Sequence, residues 1–216
     1  MKVDNLSILE NEFLNFDEDG KTFYKFTVLL RGKDHTEHPV LNGRRSDTEF
    51  IKSWTISTKE EYEKYKPRMT GLCDMLGARL YLGIEKKDTL RTTFSMVYKL
   101  LTYTELMKTG SSVRMRNICK VVDSASSTSV TTAANSKMYM VDVDTKDSAI
   151  LTEVCRMLSN VKASNQVILP TLNGFHILVK LRENMYRELV GRYSGSTIVD
   201  VTGNSMCLAY MPEVGE

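Results

Sequence analysis

This 216-residue sequence lacks the features that would announce several common classes of protein. Its four cysteines, Cys73, Cys119, Cys155 and Cys207, stand far apart, so no short spacing suggests a zinc ribbon or a disulfide framework. They are expected as buried free thiols in a reducing compartment. No apolar run approaches the ~20 residues that a membrane-crossing helix needs, and the polar start has no signal-peptide pattern. The expectation is a cytoplasmic protein with no membrane partner. An excess of one charge is missing too. The net charge is +2, too small for the field of the whole molecule to draw in nucleic acid. Such contacts would have to come from local groups, with Arg31, Lys33, Arg44, Arg45, Arg114, Arg116 and Lys120 as candidates. There is no Gly-rich phosphate loop, which argues against a self-contained motor. His35-Thr-Glu-His38 lies between Gly32 and Pro39, so it reads as an exposed loop rather than a metal site.

What is present is a chain of alternating strand and helix signals, of α+β class. In the first half, Phe13–Phe16 and Phe23–Leu30 flank the turn sequence Asp17-Glu-Asp-Gly20 and read as a strand pair. Residues 31–49 read as a polar loop and Trp54–Ser57 as a short strand. Thr58-x-x-Glu61 fits a helix capping box, and Pro67 suggests the start of a second helix running to Gly77. Ala78–Ile84 is a strand. From Asp88 to Met107, Leu90, Phe94, Val97, Tyr98 and Leu101 recur at helical spacing, the mark of an amphipathic helix. Asn117–Val122 reads as a strand. The division is then an N-terminal αβ unit over 1–122, a Ser/Thr-rich loop over 123–136, and a second unit over 137–216.

The second unit has the sharper pattern. Strands are expected at Lys137–Val143, Gln166–Thr171, Phe175–Leu181 and Thr197–Val201, with helices at Asp147–Leu158 and Glu183–Arg192. Asn173-Gly174 is a hairpin signal, and Met206–Tyr210 reads as one further strand. The order β-α-β-β-α-β is the ferredoxin-like or RRM-like arrangement. Alternation puts Tyr139, Val141 and Val143 on one face of the first strand and Met140, Asp142 and Asp144 on the other. By the same rule His176, Leu178 and Lys180 share a face, and so do Ile198, Asp200 and Thr202. With the more apolar face under the helices, the other face would display Asp142, Asp144, His176, Lys180 and Asp200. In that arrangement the first and third strands are central neighbours and the fourth lies beside the first. Asp142 and Asp144 side by side repel each other unless a cation intervenes. Oxygen donors of this kind suit Mg²⁺ or Mn²⁺ holding a substrate phosphate.

Three short motifs carry a resemblance. Val141-Asp-Val-Asp144, Gly174-Phe-His176 and Ile198-Val-Asp200, in that order on an RRM-like unit, resemble the motifs of the archaeo-eukaryotic primase (primase–polymerase) superfamily. The likeness covers about residues 137–212. It implies a nucleotidyltransferase that initiates or extends a nucleic-acid strand from nucleoside triphosphates. Asp142, Asp144 and Asp200 would coordinate the Mg²⁺ or Mn²⁺, and His176 would contact the nucleotide phosphates, with Lys180 beside it. The implied partners are a nucleic-acid template, nucleoside triphosphates and replication accessory proteins, with residues 1–122 helping to form a template cleft and Arg79 as a contact there. Gly174 stands where that family often carries Ser.

Plainer readings stand beside this one. Asp144 or Asp147 could cap the following helix, Gly174 could serve only the turn, and Asp200 could serve the turn at Thr202-Gly203-Asn204. An RRM-like protein without catalysis, binding nucleic acid or regulating another protein, is one alternative. A base-stacking RRM would need aromatic residues where this chain has Met140, Asp142, His176 and Leu178. A metal-dependent nuclease using the same acids is another alternative.

Overall fold

The computed structural model describes residues 2–213, apart from 18, 33, 35–47, 111–112, 114, 128–136, 162–164 and 204. Its elements, in chain order, begin with β1 (Val3–Asp4), α1 (Leu6–Glu12), β2 (Thr22–Arg31), β3 (Thr48–Ile56), α2 (Lys59–Leu76), β4 (Arg79–Gly83), β5 (Lys87–Asp88) and α3 (Thr89–Lys108). They continue with α4 (Met115–Cys119), α5 (Val121–Ser126), β6 (Lys137–Val143), α6 (Ser148–Met157), β7 (Gln166–Pro170), β8 (Phe175–Leu181), α7 (Glu183–Tyr193), β9 (Val199–Gly203) and β10 (Met206–Met211). The class is α+β, built on two antiparallel sheets. One runs β1-β10-β4-β2-β3, with β5 on the start of β2; the other runs β7-β8-β6-β9. No helix among the described residues is long and apolar enough to cross a membrane.

In the second sheet, β8 and β6 are central and β9 lies beside β6. Tyr139, Val141 and Val143 join Ile177, Val179 and Leu181 in a core closed by Val154 of α6, Leu158 just after it and Leu189 of α7. The cap of α6 is Asp147, whose side chain accepts the Ala149 N–H at 2.8 Å. Capping therefore falls to Asp147 and not Asp144. The opposite face is not open, as alternation alone suggests. Met140, Val167, Leu169 and Leu178 belong to the same apolar cluster as Phe26, Val28 and Leu80 of the first sheet.

The last strand crosses between the units. β10, which the sequence groups with residues 137–216, pairs with β1 and β4 of the first sheet. Asn5 fastens the junction. Fully buried, its Nδ2 donates to Leu208 O on β10 and to Pro170 O on β7, both at 2.9 Å. Asn5→Ala would leave both carbonyls short of a donor inside the protein. A loss of about 1–3 kcal/mol is expected, read as a lower denaturant midpoint at unchanged slope.

Other first-half expectations need correction. Phe13–Phe16 forms no strand; α1 precedes it, and the Phe16 ring packs 5.6 Å from both Tyr24 and Tyr62. Residues 59–76 form one helix with Pro67 inside it. The buried face of Tyr62, Met69 and Cys73 runs past the proline unbroken, and this packing offsets one lost backbone bond. One half of the expected capping box is present, Thr58 Oγ1 accepting from Glu61 N, while the Glu61 carboxylate reaches one residue further back and accepts from Ser57 N. Asn117–Val122 is helical, within α4 and α5, because Val121 and Ala125 bury at i, i+4 spacing. Residues 123–126 of the expected loop therefore belong to α5, and 128–136 lie outside the described residues. Cys73 and Cys207 are buried free thiols, as expected, and burial pushes both up to about 12, whereas Cys155 is a free thiol only half-buried.

Candidate functional site

The strand registers bring three of the expected side chains into one row. Asp142 on β6 is the cross-strand partner of His176 on β8 and of Asp200 on β9. Strand neighbours lie about 5 Å apart, so Asp142 is the centre of an Asp–Asp–His line across three strands. His176 Nε2 stands 3.4 Å from Asp142 Oδ1. Asp144 follows β6 immediately, two residues on and on the same face. Its backbone N–H donates to Ile198 O at 2.8 Å, which ties the end of the Asp-x-Asp segment to the chain entering β9.

His176 is held from the other sheet. It is buried, and its Nδ1 accepts the backbone N–H of Leu208 at 3.1 Å. A backbone amide always donates, so Nδ1 must offer its lone pair and the ring proton sits on Nε2. Nε2–H therefore faces Asp142 as a donor. This suits a contact to an anionic oxygen better than it suits metal ligation.

Across from the acids lies a basic wall that the strand pattern of the second half does not reveal. A cleft of about 230 Å³ is lined by Asp142, Asp144 and His176 together with Arg31, Arg79 and Tyr81 of the first sheet. Arg79 is nearly buried and forks onto Asp34, with Nε 2.7 Å from Oδ2. Burial pulls its pKa down, but the hydrogen bonds to Asp34 and Tyr81 outweigh that and hold it above the ordinary value, so it is a permanent cation. Arg31 Nη1 donates to Tyr81 Oη at 3.2 Å. The sequence held a signal for this wall. Arg79 opens an otherwise apolar strand, Arg79-Leu-Tyr-Leu-Gly83, where an ionic side chain stays only if it is paired.

The remaining expected residues are placed differently. Asp200 is exposed on β9 outside the cleft lining, and its Oδ1 accepts the N–H of Val201 at 2.9 Å. Lys180 shares a face with His176 but sits four residues along β8, some 13 Å away. It lines a separate cavity of about 280 Å³ with Glu12, Glu85 and Lys86. Lys33, His35, His38, Arg44, Arg45 and Arg114 lie outside the described residues, as does the Arg116 side chain.

Gly174 has a tighter role than the hairpin turn. Its φ is not positive, so the turn places no demand for glycine there. A Cβ built on it would lie 1.8 Å from Val143 O and within 3 Å of Thr145 N and O. The backbone just after Asp142 and around Asp144 thus occupies the space a side chain would need.

Asp142 and Asp144 both line the cleft and offer carboxylate oxygens, the donor type a hard divalent cation takes, while Asp200 lies outside the lining. Among the described residues, no three His, Cys, Asp or Glu side chains are gathered tightly enough to form a ready-made metal cage. A cation here would be completed by substrate oxygens and water, as Mg²⁺ commonly is with phosphates. In comparisons with known proteins, no family matches this chain, no curated protein matches it, and no solved structure matches it.

Proposed function

We propose that this protein is a metal-dependent nucleotidyltransferase of the primase–polymerase type, acting on nucleic acid with nucleoside triphosphates. The observation that carries the reading is the in-register row His176–Asp142–Asp200, with Asp144 beside it and Arg79 and Arg31 on the facing wall. The order β7-β8-β6-β9 with α6 and α7 on one face supports treating the second sheet as the ferredoxin-like, RRM-like unit that such chemistry uses.

In this reading, Asp142, Asp144 and Asp200 hold Mg²⁺ or Mn²⁺. The bound cation would neutralise triphosphate charge and favour ionisation of the attacking hydroxyl. His176 donates its Nε2 proton to a phosphate oxygen, and the Leu208 N–H keeps the ring turned that way. Arg31, half-buried on the facing wall, gives the cleft a cation for phosphate, while Arg79, whose fork is taken by Asp34, is a buried part of that wall. Lys180 takes no part in this reading, because it lines the other cavity.

The test is Mn²⁺ binding and primer extension with labelled nucleotides, comparing the natural chain with Asp142→Ala/Asp144→Ala. Metal binding and extension that both disappear in the double variant support the transferase. Shortening of the labelled strand in place of extension would identify a nuclease built on the same acids. The absence of a three-residue metal cage among the described residues favours one rival, a non-catalytic protein that keeps the scaffold. Natural protein that binds nucleic acid but neither metal nor nucleotide would establish that rival.

A further inference from the structure

α3 is folded with its apolar side outward. Its N-terminus is capped by Asp88, whose side chain accepts the Arg91 N–H at 2.7 Å. The side turned to the protein carries Thr92, Met96, Lys99 and Tyr103, at 4-3-4 spacing, and Lys99 Nζ donates to Ser124 O of α5 at 3.3 Å. Leu90, Phe94, Val97, Tyr98 and Leu101 occupy the opposite side and are 47–73% exposed. These are the residues whose periodicity predicts the helix. In a monomer, a stripe of this kind belongs against a core. Scattered exposed apolar side chains need no explanation, but five on one helical face do.

We propose that this stripe is the contact between two copies of the chain, paired through antiparallel α3 helices about a two-fold axis. The first reason is spacing. Leu90, Phe94, Val97 and Leu101 are separated by four, three and four residues, the repeat of a helix–helix seam. That spacing reads the same in both directions. An antiparallel copy therefore sets Leu90 against Leu101 and Phe94 against Val97, which is the self-complementarity a two-fold contact requires. The second reason is charge. Lys99, the sole charged residue between Arg91 and Glu105, turns its ammonium to α5, so the centre of the seam buries no ion. The third reason is area. Fractional exposure times ordinary side-chain areas gives roughly 500 Å² per copy, or about 1,000 Å² for the pair, the area at which specific interfaces begin. Tyr98, at the edge of the stripe, covers the seam with its ring and keeps its hydroxyl at the wet rim.

The experiment is sedimentation velocity of the full chain over a range of concentrations, beside Phe94→Glu/Leu101→Glu. Both side chains are exposed in the single chain, so the variant is expected to keep its circular dichroism. The natural protein is expected to sediment as a dimer, and the variant to need at least ~100-fold more protein to pair. Hydrogen exchange of the natural protein is the second readout, because it holds even if the variant fails to fold. Amides of residues 89–108 should slow as concentration rises while those of the second sheet do not. A natural chain that stays monomeric, a dimer that survives both glutamates, or α3 exchange indifferent to concentration would each overturn the proposal. So would flotation of the chain with anionic lipid vesicles and no self-association, which would make the stripe a membrane-surface face.

Discussion

Asp142→Asn is expected to abolish nucleotide incorporation while leaving the fold in place. Asp142 is the one residue in register with both His176 and Asp200, so its carboxylate is shared by every pairing in the row. The exchange keeps size and shape and removes one negative charge. About 30% of the side chain faces solvent, so a neutral amide there is not stranded in the core. Carboxylate-held metal chemistry is worth several kcal/mol of transition-state charge stabilisation, and each 1.4 kcal/mol is tenfold in rate. A fall of ~10³-fold or more in single-turnover extension is therefore expected, with an unchanged melting temperature. Asp200→Asn should cost less, since that residue is exposed at the rim and one of its oxygens is engaged by Val201 N–H. Lys180→Ala should stay within about twofold, because a group some 13 Å along the strand does not reach the row. Equal losses at Asp142 and Lys180 would refute the site as drawn.

Gly174→Ser is the second large effect, and it runs against the resemblance that suggested the site. A Ser at this position would add a phosphate-binding hydroxyl if only the motif mattered. Here its Cβ would lie 1.8 Å from Val143 O, which is impossible without moving the backbone. Thr171 and Gly174 are also locked together, with Thr171 N donating to Gly174 O at 2.8 Å and Gly174 N to Thr171 Oγ1 at 3.0 Å. The β7–β8 turn therefore cannot swing away without losing both bonds. Opening this contact pushes Val143–Thr145 aside and with it Asp144. The expected cost is on the order of 3 kcal/mol in thermal or denaturant unfolding. Any folded fraction should bind Mn²⁺ more weakly than the natural protein. Gly174→Ala should do the same, because the obstacle is the β-carbon and not the hydroxyl. If the serine variant is as stable as the natural chain, the close approach is not what holds Gly174 there.

The dimeric contact proposed for α3 and the chemistry proposed for the row stand on different observations. Phe94→Glu/Leu101→Glu touches no side chain of the cleft, so loss of pairing and loss of extension can be separated.

By itself, the sequence determined what depends on local period. Alternation at Lys137–Val143 and Phe175–Leu181 set the strands and their apolar faces, and with them the side on which Asp142 and His176 lie. The helices after Asp88 and Asp147 were legible from their apolar spacing, and in each that aspartate caps the first turn. Tertiary structure alone decided what covers those faces. Nothing in the pattern of β10 says that it will leave the second half and pair between β1 and β4, yet that placement supplies the amide that orients His176. Arg31 and Arg79 join the acids only because two distant strand ends meet across the cleft. Pro67 read as the start of a second helix, but a continuous buried face joins both stretches into one. The stripe of α3 reads as a core face in sequence and lies outside in the fold. Periodicity reports that a helix has an apolar side, but long-range packing decides which neighbour it meets, because burial energy is non-directional and depends only on what comes within reach.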